Sequence, residues 1–207
     1  MEITYFGHSC FRIKTKTATI VTDPYDPAMV GLKYPKLQAD IVTLSYSHQN
    51  YHFLEKIAGE PFVIAGPGEY EIKEISVFGI ESSKVNTIYL IETENLRICH
   101  LGNLVEKLGE EQIEEVNGVD ILFVPVGGIE TLDPRKAGEV VSQVEPLVVI
   151  PHHYQIKGMS SSFKDLATVD DFTKELGVEV QPVKRLFINQ DKLPEEREVV
   201  VLERKSS

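Results

Sequence analysis

Ser45-Tyr46-Ser47-His48-Gln49-Asn50-Tyr51-His52 is a short loop with two histidines, and it continues directly from the apolar run Ala39-Asp40-Ile41-Val42-Thr43-Leu44. That run has the length and β-branched composition of a strand. The histidines are therefore delivered at a strand end, where α/β layers commonly build their sites. Upstream, residues 2–6, 10–15 and 18–23 read as three strands separated by Gly7-His8-Ser9 and by the polar turn Lys14-Thr15-Lys16-Thr17, an antiparallel meander. Asp23-Pro24-Tyr25-Asp26-Pro27 stops the third strand, because each proline removes a donor and biases its predecessor away from helix. A loop rich in Pro and Gly then runs to Leu37.

Downstream, a brief helical stretch at 53–57 leads to a strand over 61–66 and to the turn Gly66-Pro67-Gly68. Strands with period-two alternation follow over 69–81, 86–93 and 96–102. The second half changes character. The pattern predicts a charged amphipathic helix over 105–116, an apolar strand over 119–128, a helix over 133–143, a buried strand over 146–154 and a helix over 169–176 closed by Gly177. Strands alternating with helices predict covered, partly parallel sheet. The tail offers terminal strands over 178–183, 185–189 and 198–204.

The chain has 207 residues, 42% hydrophobic and 26% charged, enough for one domain or two tightly joined halves with an ample core. A net charge of -11 argues against a nucleic-acid binder, although a local basic patch stays open. Nothing approaches the ~18 apolar residues of a membrane span. The N-terminus lacks a basic region followed by an apolar one, so the expectation is a cytoplasmic protein. Cys10 and Cys99 stand apart and read as small buried hydrophobes, not as a disulfide or metal pair.

In order along nearly the whole chain come Gly7-His8-Ser9-Cys10-Phe11, Thr22-Asp23-Pro24-Tyr25, the histidine loop, PGEYEI at 67–72, NTIY at 86–89, HLGN at 100–103, PVGG at 125–128 and IPHHY at 150–154. Together these resemble the metallo-β-lactamase superfamily, and more narrowly its small bacterial and archaeal proteins related to ascorbate-6-phosphate lactonase. The resemblance implies a single domain over 1–207 with the α/β fold of that family, a four-layer αββα sandwich of two mixed sheets. The site would lie at one edge, where loops from both halves meet. It also implies a chemistry: one zinc held by three histidines, a second by Asp, His and His, often with a bridging Asp, and a metal-bound hydroxide attacking an ester, lactone, amide or phosphoester. Zinc needs nitrogen and anionic oxygen ligands at ~2.0 to 2.2 Å, and a charged shell to bring bound water to a pKa near ~7.

Matched to that pattern, the first loop histidine is Tyr46, the second is retained as His48, the aspartate is Asn50 and the last histidine is Tyr51, with His52 one position late. The family's next histidine falls in a loop before NTIY, where only Glu81-Ser82-Ser83-Lys84-Val85 intervenes. Glu81 is a poor substitute for it. The bridging aspartate is replaced by Asn103, and the final histidine is kept as His153. The two survivors belong to different metals. Tyrosine stays protonated and asparagine brings no charge, so the changes remove charge as well as ligands. The expectation is that no metal cofactor is held, with a weak residual zinc on His48 and His153, helped by His52 or His152, as the alternative.

His8 reads as a turn residue, with a substrate contact or a metal-free acid/base as the functional alternative. Asp23 matches the aspartate that orients the histidine loop from behind. Asp23, Tyr46, Asn50, Tyr51, His52, Asn103 and His152 are expected to line the cleft, with His8, His48 and His153 as the candidates for any chemistry. Glu69 and Glu71 read as a solvated strand face, and the serines at 160–162 lack a base. The reading is thus a family member with its dinuclear site largely lost, using the old cleft to bind an unknown small molecule or protein. The alternative is a divergent hydrolase with a reduced metal site or a metal-free histidine site. Enzymatic status and oligomeric state stay open, and neither nucleic acid nor membrane is expected as partner.

Overall fold

A computed structural model describes residues 1–46 and 53–206. His48, Asn50, Tyr51 and His52, four of the expected loop residues, lie outside the described residues. The early alternation becomes a meander of β1 (Glu2–Gly7), β2 (Cys10–Lys14) and β3 (Thr19–Thr22). β5 (Ile41–Thr43) then lies parallel to β3, and β7 (Phe62–Ile64) parallel to β5. With β14 (Leu186–Phe187) on the far side of β1, the first sheet runs β14-β1-β2-β3-β5-β7. The period of two sorts its side chains: Ile3, Tyr5, Phe11, Ile13, Ile20 and Ile41 enter the core between the sheets, while Phe6, Cys10, Val21 and Val42 face outward. Both cysteines are free and buried.

The second sheet begins as a meander of β8 (Gly68–Ile72), β9 (Ile75–Ser83), β10 (Asn86–Thr93) and β11 (Leu96–His100). β12 (Ile121–Pro125), β13 (Val148–His152) and β15 (Glu198–Val199) then extend it in parallel. β4 (Leu37–Gln38) and β6 (Ile57–Ala58) form a separate short parallel pair. Between the two large sheets, Phe11 meets Phe123 at 4.5 Å between ring centroids and stacks on Tyr5 at 4.7 Å.

Helices cover the second sheet. α3 (Pro134–Val144) starts at Asp133, whose carboxylate accepts from the Lys136 amide, and has proline in its first turn. It buries Ala137, Val140, Val141 and Val144. α4 (Val169–Glu175) is held by a reciprocal Thr168 and Asp171 cap. The outer face of the first sheet is covered differently. α1 (Pro27–Val30) is a single turn, and the rest of the cover is irregular chain. Tyr25, Leu32, Tyr34, Phe163 and Leu166 pack on Phe6, Cys10 and Val21. Prolines at 24, 27 and 35 explain why no longer helix forms there.

Two expectations need correction. The helix predicted over 105–116 shrinks to α2 (Glu110–Glu115). The chain leading into the predicted span and the first half of that span are tied down instead: Leu132 N–H donates to Leu104 O at 2.8 Å, and the Gln143 amide brackets both backbone groups of Leu108. Of the tail strands, 178–183 contributes only a bridge between Val183 and Leu202, and the others shorten to β14 and β15. No helix among the described residues is long and apolar enough to cross a membrane.

β1, β3 and β5 point one way in the first sheet, and β11, β12 and β13 run parallel in the second. Their C-terminal ends deliver His8, Asp23, Ser45, His100, Gly127 and His153, the usual placement of an α/β site.

Candidate functional site

At this edge the two sheets are stitched together by backbone. His153 N–H donates to His8 O at 2.8 Å, and the Tyr5 hydroxyl donates to the same carbonyl at 3.0 Å. The rings of His8 and His153 lie 4.3 Å apart, and those of His100 and His152 stack at 4.7 Å. Ser9 Oγ and His152 Nδ1 are 3.2 Å apart. All four rings are buried. His8, Asp23, Ile129, Glu130 and His153 hold positive φ, although none is glycine. The other such residues among those described sit in two hairpin turns, 73–74 and 94–95, or at the end of α3. Left-handed conformation in a β-branched residue such as Ile129 (φ 38) costs energy, and strain of this kind gathers at functional sites.

Burial governs the charges. It pushes His100 and His153 down to about 4, and it drives His8 and His152 well below the ordinary range, with neighbouring histidines adding to the effect. These imidazoles are neutral at pH 7. Burial lifts Asp23 to about 6, opposed by two bonds from Ser45: its amide at 2.7 Å and its hydroxyl at 2.6 Å. Asp23 thereby grips the first residue of the histidine loop. His100 Nδ1 lies 3.8 Å from Asp23 Oδ2 but accepts from Gly102 N–H at 3.1 Å. A neutral ring accepting there forms no ion pair with the carboxylate.

The second anchor of the loop is Asn86. Its side-chain amide donates to Ser82 Oγ at 2.7 Å and to Leu101 O at 3.1 Å, while its Oδ1 accepts from Asn103 N–H at 2.7 Å. Thr87 N–H donates to Ser45 O at 2.8 Å, and Tyr46 bridges Asn86. The Asn86 side chain thus joins the 82–86 hairpin to the 100–103 turn, while the backbone of Asn86 and Thr87 holds the loop entrance.

The family described as the β-lactamase superfamily domain matches residues 2–153. A solved Thermotoga maritima structure, named for a zinc-dependent hydrolase of the metallo-β-lactamase superfamily, is 37% identical, with 97% of each chain covered and a TM-score of 0.83. The chain belongs to the metallo-β-lactamase superfamily. A UPF0173 metal-dependent hydrolase of Lysinibacillus sphaericus is 28% identical over 193 residues, covering 74% of this chain and 85% of the relative. A metallo hydrolase of Ignicoccus hospitalis, 17% identical with a TM-score of 0.70 over 99% of this chain and 95% of that one, shares the fold.

At several ligand positions of the metallo-β-lactamase pattern the described residues are of other types than the family's donors. Asn103 is buried, and its backbone is fixed by Asn86. Burial raises the Tyr46 phenol further above its usual range, and nearby Glu130 acts in the same direction, so it stays neutral and is a weak ligand. β9 and β10 are closed by Lys84 and Val85 between the paired Ser83 and Asn86, leaving no longer loop to carry a histidine. Glu81 is exposed on β9. Among the described residues no three His, Cys, Asp or Glu side chains form a metal-holding group. His48 and His52, which the family pattern makes relevant, lie outside them.

The structure brings His8, Asp23, His152 and His153 to one edge and places Tyr46 and Asn103 on the two sides of Asn86. It also shows positions that the sequence reading passed over. A Cβ on Gly127 would come 2.0 Å from His153 O, and one on Gly102 would come 2.5 Å from Asn86 Oδ1. PVGG and HLGN are visible as family motifs; the close approaches that require glycine in them are not.

Proposed function

We propose that this metallo-β-lactamase-fold chain has lost most of its dinuclear metal centre and serves as a binding member of the family through the old cleft, with catalysis weak or gone. The carrying observation is the tight β9–β10 turn locked by Asn86, which occupies the stretch where the family pattern carries a ligand loop. Neutral Tyr46 and Asn103 in two further ligand positions support the same reading. A cavity of about 440 Å³ beside Tyr46, walled by Leu44, Pro67, Ser83, Lys84 and Thr87, has the size of a small-molecule site. We read residues 1–207 as one such domain acting in the cytoplasm, in keeping with the unbridged thiols of Cys10 and Cys99.

A second reading, a divergent hydrolase using one metal or a metal-free group of His8, His48 and His153, draws on a separate observation. His153 Nδ1 is buried and has no hydrogen-bond partner among the described residues. The names of the relatives as metal-dependent hydrolases favour it too. Metal content separates the two. Zinc, iron and manganese are measured per chain in protein purified without chelator, for wild type and His48→Ala. The binding reading expects far less than one metal per chain in both. Near-stoichiometric metal that disappears in His48→Ala overturns it. Turnover of any lactone, phosphodiester or thioester by metal-free protein would favour the histidine-only form of the second.

A further inference from the structure

The irregular cover on the first sheet ends before β1 begins. Phe6, Cys10 and Val21 lie beneath it. Beyond it, Glu2 and Thr4 of β1 and Arg12 of β2 line a cavity of about 410 Å³. Its other wall comes from two dibasic pairs, Lys184-Arg185 and Arg204-Lys205, together with Glu203. The backbone holds these pairs side by side: Val183 N–H donates to Val201 O and Glu203 N–H to Val183 O, each at 2.9 Å, while Lys205 N–H donates to Tyr5 O at 2.8 Å. Five cations thus face two carboxylates, in a chain whose 32 acidic residues outnumber its 21 Lys and Arg. The local balance is the reverse of the global one.

The guanidiniums are fixed in place. Arg12 and Arg185 each reach the Glu2 carboxylate at 3.3 Å, so one acid orients both. Arg12 lies over the Phe6 ring at 5.8 Å and Arg185 over Phe187 at 5.4 Å. Arg12 Nε is buried with no partner among the described residues. Arg204 is pinned by its bond to Lys33 O at 2.8 Å. Lys184 and Lys205 are exposed and have no salt bridge among the described residues. Rigid forks and free ammoniums around one concavity match the geometry by which proteins hold phosphate oxygens.

We propose that this cavity binds the diphosphate or triphosphate group of a small molecule. Its volume exceeds what a single phosphate fills, and its cation excess calls for a ligand with several charges. Its charged end lies away from the histidine site: Glu2, which holds Arg12 and Arg185, and Gly7 are the two ends of β1, roughly 17 Å apart at ~3.3 Å per residue, while Arg204 at the other end of the cavity approaches Gly7.

The test titrates the full chain calorimetrically with inorganic pyrophosphate, ADP and inorganic phosphate at low and near-physiological salt. One saturable site is expected, filled better by pyrophosphate or ADP than by phosphate and weakening as salt rises. A preference for ADP over pyrophosphate identifies a nucleoside-linked ligand, and the reverse identifies the free oligophosphate. The double variant Lys184→Ala/Lys205→Ala touches only exposed side chains and is expected to lose about tenfold for each cation removed. Lys184→Arg/Lys205→Arg keeps binding. The proposal falls if neither pyrophosphate nor ADP saturates a site, or if the alanine pair binds like wild type. It falls equally if a short single-stranded oligonucleotide binds more tightly than pyrophosphate, which would make the patch a nucleic-acid surface.

Discussion

Acid should unfold this chain through the histidines packed between its strand ends. His100 and His153 titrate at about 4 in the fold against an ordinary 6.5, and His8 and His152 move in the same direction. A base with a depressed folded pKa takes up its proton only on unfolding. Its contribution is intact above 6.5 and lost as pH falls toward 4. Asp23 acts in the opposite sense. It titrates at about 6 in the fold against 3.8, so between those values it is protonated when folded and ionised when unfolded, and adds stability as pH drops. Near pH ~5, unfolding takes up a proton on each of His100 and His153 and releases one from Asp23, a net uptake of one. At ~1.4 kcal/mol per pH unit for each net proton, the slope is about 1.4 kcal/mol per unit, and His8 and His152 act in the direction that steepens it. Against a typical total of ~5–15 kcal/mol, that slope is large. Urea unfolding followed by circular dichroism, in chelator from about pH 6.5 down to about 4, measures it. Asp23→Asn isolates the cluster from the remaining carboxylates, because it removes the opposing proton and should steepen the slope by about 1.4 kcal/mol per unit. Stability that holds or rises on acidification, together with an unchanged slope in Asp23→Asn, would refute the assignment of buried neutral histidines.

Two substitutions probe the packing behind the site. Gly127→Ala drives a Cβ to 2.0 Å from the backbone carbonyl of His153, a clash that no side-chain rotation relieves, and should cost about 3 kcal/mol or more. Gly128→Ala, where a Cβ would make only ordinary contact with Asp133 at 3.8 Å but φ is +68, should cost about 1–2 kcal/mol; equal losses in urea titrations would contradict the close-approach account. Asn86→Ala removes three side-chain hydrogen bonds and should cost roughly 2–4 kcal/mol. Hydrogen exchange should quicken at the Asn103 amide in that variant and stay unchanged in α3.

The strands were legible because their cues are local. Alternation in β1 and β2 and the apolar runs of β12 and β13 follow from facing one core or being covered on both sides. The helix over 105–116 misled because its amphipathic letters are outweighed by tertiary ties at Leu104 and Leu108. In the site, Asn103 at the position of the family's bridging aspartate could be read from residue type against a family pattern. The role of Asn86 could not, since it depends on three segments that meet only in space. Nor could the cationic cavity, where Arg12 and Arg185 are 173 positions apart and share one carboxylate.

β14 completes the edge of one sheet and β15 the edge of the other, while Lys205 pairs with Tyr5. On the ribosome, then, β1 waits for a partner that the sequence places 185 positions later, from Glu2 to Phe187. During elongation both sheets present an open β edge, the kind of surface that invites pairing with another chain. Long-range closure of this sort also slows folding. The nascent chain is thus most exposed to misassembly during translation, before either sheet has its final neighbour.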